Sequence, residues 1–420
     1  MKHFDIAVIG GGAGGLAAAE KADRLGMDVV LLEREPFLGG ILNQCIHHGF
    51  GLHHYKEELT GPEYAMRAID DIERSGVTIK TDTTALDYKK LGGRFTIRYT
   101  NAEEGERTIE ANAVILTSGS YERTAGGIRL PGERPKGVHT AGKAQRYLNI
   151  EGYMVGRKVF ILGSGDIGLI MARRLTLEGA EVKGVAEIKP HPGGLTRNVV
   201  QCLHDFDIPL YLSHTVTDVR GDENLEGITI AEVDDAMQVK EATEKHFEVD
   251  TLLLSVGLIP DIATLGDVHY AIDPRTNGAI VDQTYQTTQD GLFAAGNALH
   301  IHDLVDFVTE ESLRAALQAA AYVKGEVPPR EKQVDVVTGE TISYALPQRL
   351  NGDYLDKSVT FSLRSRHAYE KGTFLIKQRG ETIERFKRRF INPAEMEHLV
   401  VEGGRIARGS GVEIILEGSS

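Results

Sequence analysis

The apolar run Ile6 to Ile9 breaks into Gly10, Gly12 and Gly15, and the small-residue run Leu16 to Ala19 follows at once. That order dictates a buried strand, a tight turn and a helix. Gly10 lets the chain reverse, Gly12 keeps side-chain bulk away from an approaching pyrophosphate, and Gly15 lets the helix lie close on the sheet. The turn also aims the free N–H groups and positive dipole end of the helix at that anion. The next strand, MDVVLL from Met27 to Leu32, delivers Glu33 eighteen residues past Gly15, where a carboxylate can hold a ribose hydroxyl pair. The construction returns at Lys158 to Met171: Gly163, Gly165 and Gly168 repeat the spacing around Asp166 and Ile167, and Glu187 follows nineteen residues on. A chain that writes this pattern twice is expected to fold around two dinucleotide seats. The acidic Glu187 accepts hydrogen bonds from the 2′-OH of NAD and repels the 2′-phosphate of NADP, so the second seat favours NAD.

Composition removes several other functions. With 61 acidic against 47 basic residues the formal net charge is -14, which repels phosphate backbones and anionic lipid, so no nucleic-acid partner is expected. Only Cys45 and Cys202 are present, too few for a disulfide framework or a four-cysteine zinc or iron–sulfur site, and this usage fits a reducing cytoplasm. No apolar run approaches the ~18 to 20 residues a bilayer crossing needs, so membrane insertion is not expected. At 420 residues the chain has room for about three domains.

Three further segments break from an apolar strand into glycine: ANAVILTSG at Ala111 to Gly119, EVDTLLLSVGLIP (with Gly257) at Glu248 to Pro260, and QTTQDGLFAAGN at Gln286 to Asn297. A helix is expected from about Thr309 to Val323. Taken in order with Glu33 and the Gly39-Gly40 pair, these residues resemble the two-dinucleotide-binding-domain flavoprotein family of glutathione reductase-like enzymes. The resemblance implies an α/β fold with two Rossmann-like domains: an FAD domain at 1–118 and 248–330 and an NAD domain inserted at 119–247. After Lys324 short runs such as SVTFSLR, GTFLIKQ and GVEIILE alternate apolar and polar residues, so a small β-rich domain is expected at 331–420. The resemblance also implies FAD in the first seat, against Gly10, Gly12, Ala13, Gly14, Gly15, Glu33, Arg34, Gly39, Gly40 and Ile41, with Thr84 and Ala85 near the adenine. Ser118, Gly119, Gly257, Gly296 and Asn297 would line the cofactors where the chain crosses between domains. Asn297 stands where the family carries an aspartate on the ribityl chain; an amide can still accept through oxygen and donate through nitrogen. Backbone amides near Glu310, Glu311 and Ser312 are the expected donors to the reduced ring.

The disulfide reductases of that family place two cysteines just after the Gly-Gly pair, but Leu42 and His47 occupy those positions here, so dithiol exchange is not expected. GGILNQCIHHGFGLHHYKEELTGPEYA with GNALHIHDLVDFVTEE further resembles NAD-linked flavin subunits that work beside a second FAD protein. The implied function is hydride passage between NAD(H) and FAD in an electron-transfer subunit of a dehydrogenase or NADH oxidase, with a second flavoprotein subunit or another copy of the chain as partner. Two alternatives stand: a self-sufficient NADH oxidase or peroxidase using Cys45, its thiolate favoured by His47, and a non-catalytic nucleotide-binding sensor or scaffold. The histidines His47, His48, His53, His54, His300 and His302 are expected to line a polar opening, where His302 with Asp303 can move protons. No metal site is expected, because no carboxylate or cysteine stands at metal-site spacing beside the H-x-H pair.

Overall fold

The computed structural model describes residues 1–262, 269–328, 330 and 332–419; the expected start of the last domain, at 331, lies outside the described residues. Both glycine-rich segments fold as their spacing dictates. The first runs from strand β1 (Lys2–Ile9) through helix α1 (Ala13–Arg24) to β2 (Val29–Leu32), and the second from β3 (Lys158–Leu162) through α2 (Asp166–Leu177) to β4 (Glu181–Glu187). Each helix ends at a glycine one residue past its cap, Gly26 at φ +81° and Gly179 at φ +87°, a left-handed position that a side chain would strain. A later helix, α3 (Val305–Val323), begins four residues before the expected Thr309.

The chain divides into two compact units, Met1–Ser120 with Pro260–Ser420, and Tyr121–Ile259. In the first unit β2, β1 and Gly105–Leu116 are parallel neighbours, Leu292–Ala294 joins Gly105–Leu116 in parallel, and Arg94–Asn101 and Thr84–Leu91 extend the sheet antiparallel. Parallel strands covered on both faces need continuous apolar runs, and Ile6, Val8, Ile115 and Phe293 are all buried. α1 and α3 cover one face, with Ala18, Ala19 and Ala22 beside Ala315, Ala316 and Ala319 in one core. Small residues let these helices approach: a Cβ on Gly14 would stand 2.7 Å from Ser312 Oγ.

Gln333 to Ser419 forms a five-stranded and a three-stranded sheet around Phe361, Phe374, Leu399 and Ile414. The strand SVTFSLR reads out its alternation, with Val359, Phe361 and Leu363 buried. The second unit holds a parallel five-stranded sheet in the order Val138–Thr140, Thr251–Leu254, β3, β4, Leu210–Leu212, and a separate antiparallel sheet of His214–Arg220, Gly227–Glu232 and Lys245–Phe247. The whole is an α/β fold with parallel and mixed sheets. Among the described residues no helix is long and apolar enough to cross a membrane.

Candidate functional site

The first glycine-rich turn is held by contacts that leave no room for side chains. Gly10 has φ +104°, and a Cβ on Gly15 would stand 1.7 Å from the Gly10 carbonyl oxygen. Gly12 is different: it caps α1 without a side-chain bond, and among the described residues nothing lies within 4 Å of where its Cβ would be. The first-turn N–H groups around Ala13 and Gly14 therefore border space that an anion can enter. Glu33, 6% exposed, accepts the Gly11 N–H at 2.5 Å through Oε2 and the Glu35 N–H at 2.7 Å through Oε1. A carboxylate has about four acceptor sites, so two remain for a hydroxyl pair. Gly39 donates to the Gly11 carbonyl at 2.9 Å, bringing the Gly39-Gly40 pair against the turn, while the neighbouring Ile41 side chain is exposed. Thr83 donates to the Glu33 carbonyl at 2.8 Å, which sets Thr84 and Ala85 next to this strand end. Ser118 Oγ donates to the Asp261 carbonyl at 2.5 Å, Asp261 N–H to the Gly119 carbonyl at 2.9 Å, and Arg34 faces the Asp261 carboxylate at 3.6 Å.

The second turn repeats this wiring at equivalent positions. Gly163 has φ +95°, and a Cβ on Gly168 would stand 2.6 Å from Ser255 Cβ. Glu187 accepts Ser164 N–H at 3.0 Å and Ser164 Oγ–H at 2.6 Å through Oε2, and Lys189 N–H at 3.1 Å through Oε1. Gly165 caps α2 without a side-chain bond, as Gly12 does for α1. The Asp166 carboxylate turns away to Leu195 N–H at 2.8 Å and Asn198 Nδ2 at 2.6 Å, while Ile167 packs among the apolar side chains of this unit. Gly257, at φ +103°, accepts the Arg123 N–H at 3.0 Å.

A third cluster, within the first unit, joins segments that are distant in sequence. Asp306, in the first turn of α3, accepts Gly51 N–H at 3.1 Å, His53 N–H at 3.0 Å and His54 N–H at 2.7 Å. Thr309 Oγ1 lies 2.7 Å from the Tyr64 hydroxyl. The histidine-rich loop is thus tied to α3 through its backbone, and His47 Nδ1 lies 3.0 Å from the His48 carbonyl. Beside it Cys45 is half-buried, and burial pushes its thiol up to about 12, which suppresses thiolate at neutral pH.

His300, fully buried, sets Nε2 2.9 Å from Glu311 Oε2, and the same carboxylate accepts Gly296 N–H at 2.7 Å through Oε1. His302 places Nε2 3.6 Å from Glu311 Oε1, its Nδ1 3.0 Å from the His300 carbonyl and its own N–H 3.0 Å from Asn297 Oδ1. Because an N–H can only donate, Asn297 is oriented with its NH₂ left as a donor. Burial pushes the His300 imidazole down; burial would raise Glu311, but the imidazoles of His300 and His302 hold its carboxyl well below the usual range.

One expectation needs correction here. With α3 starting at Val305, the amides of Glu310, Glu311 and Ser312 lie in its second turn, committed to carbonyls one turn back, and the uncommitted N–H groups belong to its first turn. Glu310 instead faces Arg314 at 3.5 Å, and Glu311 acts through its carboxylate. The Asp303 carboxylate pairs with Arg364 and accepts Met396 N–H at 2.6 Å. Sequence reading missed Asp306, Arg364 and the Glu311 side chain. Spacing rules reach along one element, whereas these contacts join residues brought together by packing.

The model of the pyridine nucleotide-disulphide oxidoreductase family matches residues 4–321. The chain is 27% identical over 329 residues to the dihydrolipoyl dehydrogenase of Manduca sexta, covering 70% of this chain and 63% of that protein. To one of the subunits of the opine oxidase of Agrobacterium tumefaciens it is 24% identical over 319 residues, covering 71% of this chain and 62% of that one. It spans less than two thirds of either relative's own length. The solved thioredoxin reductase of T. acidophilum has a TM-score of 0.62 at 24% identity, covering 76% of this chain and 99% of that chain, a likeness of fold.

Proposed function

This chain belongs to the pyridine nucleotide-disulphide oxidoreductase family, and on that premise we propose that it binds FAD and NAD(H), passes hydride between them, and serves as the electron-transfer subunit of a multi-subunit dehydrogenase or NADH oxidase. The observation that carries the reading is the duplicated seat: two helix N-termini whose cap residue is a glycine with no side-chain bond, each beside a buried glutamate wired to the same turn position. In the first unit Gly12 leaves room for a pyrophosphate, the first turn of α1 offers N–H donors to it, and Glu33 keeps two acceptor sites for a ribose. In the second, Glu187 takes the same position toward the adenosine ribose of NAD, its charge opposing a 2′-phosphate. FAD, when bound, supplies the two-electron acceptor for a nicotinamide hydride. The family's domain plan, an FAD domain carrying an inserted NAD domain, is the arrangement this reading adopts.

Support for the subunit role comes from what the chain offers electrons next. Leu42 and His47 stand where a dithiol pair would be, and Cys45, its thiol held at about 12, is a poor nucleophile at neutral pH. The relative from Agrobacterium tumefaciens is, by its name, one component of a larger oxidase. Anaerobic titration of the purified, flavin-loaded chain with NADH tests the proposal. Rapid bleaching with no peroxide turnover, unchanged within about twofold in Cys45→Ser, is the expected result. Cysteine-dependent turnover would transfer the activity to the self-sufficient oxidase or peroxidase, and absence of bleaching would leave a sensor or scaffold.

A further inference from the structure

We propose that His300, His302 and Glu311 form a binding site for a divalent transition-metal ion of the zinc class. Their donor atoms all lie within 4.8 Å of one another, two imidazoles from the turn and loop after Asn297 and one carboxylate from the second turn of α3. Two nitrogens and an oxygen, with a further position open, are the donor set of three-ligand zinc sites.

The hydrogen bonding argues for a cation between these groups. His302 Nδ1 lies 3.0 Å from the His300 carbonyl, and a carbonyl can only accept, so that nitrogen carries the ring proton. This is how a metal-bound histidine is commonly oriented, with one nitrogen donating to a backbone carbonyl and the other free to ligate. The ligating candidate, Nε2, then points a lone pair at Glu311 Oε1 from 3.6 Å. The separation is too long for a hydrogen bond. It is close to the ~3.4 Å that separates two ligands about 2.1 Å from a tetrahedral ion.

Charge and satisfaction point the same way. Glu311 is 5% exposed, and among the described residues no lysine or arginine is within ion-pair distance of it. A carboxylate taken out of water needs a compensating cation or a full set of donors. Here it has one backbone N–H, at Gly296, and His300 Nε2. His300, fully buried, has no hydrogen-bond partner at Nδ1 among the described residues. A buried polar atom left over in this way asks for an explanation, and an ion that reorganises the two imidazoles supplies one.

The test uses the full chain as purified, dialysed against a chelator and then titrated with Zn²⁺ or Co²⁺. Bound metal is measured by mass spectrometry, and the cobalt form by its visible ligand-field absorption. About one ion per chain is expected, with the absorption of a low-coordinate N/O site, and His302→Ala and Glu311→Gln are each expected to weaken binding by more than about a hundredfold, beyond what loss of a mere orienting partner costs. The proposal is overturned if the unsubstituted chain retains less than a tenth of an equivalent, or if it and both variants bind alike. Should a variant fail to fold by circular dichroism, the cobalt spectrum of the unsubstituted chain decides: a spectrum of hexa-aquo ion alone removes the site. None of these readouts depends on nucleotide binding or turnover.

Discussion

Asp306 accepts three N–H groups with one side chain, so its removal strands donors from Gly51, His53 and His54 at once. Bonds to a charged acceptor are the strong ones, and Asp306→Ala is expected to cost about 2–4 kcal/mol and to open residues 51–54 to protease. An unchanged urea midpoint and digestion pattern would refute it. His398 makes a prediction about pH. Burial, with His302 and His300 nearby, pushes its imidazole down to about 4. Its unfolded form binds a proton more readily, so the stabilisation is complete above about pH 6.5 and is lost as pH falls toward about 4. The drop in urea midpoint between pH 7.5 and pH 5 should therefore shrink in His398→Asn; an equal drop in both proteins removes the residue from the acid response. At this scale the glutamates that end β2 and β4 were legible, because a motif spacing reaches them. Glu311 as a partner of His300 was not, because a helix start and a loop between them decide the meeting.

Among elements, the strand–turn–helix segments read directly from spacing because each glycine answers a local demand. Gly15 is the sharpest case, since an added Cβ would fall 1.7 Å from the Gly10 carbonyl oxygen and only backbone movement relieves that. Gly15→Ala is expected to lose about 3 kcal/mol or more in urea unfolding and to lower flavin retention. Near-wild-type values for both would show that the turn can yield. The helix Gly61–Glu73 was equally open to local reading: Thr60 and Glu63 form a reciprocal capping box with Pro62 in the first turn. α3 was misjudged by four residues for the opposite reason. Thr309 followed by two glutamates looks like a helix start, whereas the real cap, Leu304, has no side-chain bond. Its first turn is fixed from outside, through Asp306.

For the whole molecule, alternating patterns after Lys324 were enough to foresee β structure, but not that its side chains reach elsewhere in the unit. Tyr344 and Leu346 enter the core that holds Phe4, Tyr99 and Leu299, and Arg364 grips Asp303. Ending the chain after Arg330 is therefore expected to lower the melting temperature by several degrees or leave the product insoluble, since lost core area costs about 25 cal/mol per Å²; an equally stable truncated chain would show these contacts to be idle. The interrupted layout of the first unit bears on biosynthesis. Gly105–Leu116 leaves the ribosome early, yet its parallel neighbour Leu292–Ala294 is made only after all of Tyr121–Ile259 has been translated. At about 5–20 residues per second the nascent chain carries an uncovered, greasy sheet edge for on the order of ten seconds or more. The middle of the gene product can mature before its beginning does, and chaperone capture of stalled intermediates should concentrate in that interval.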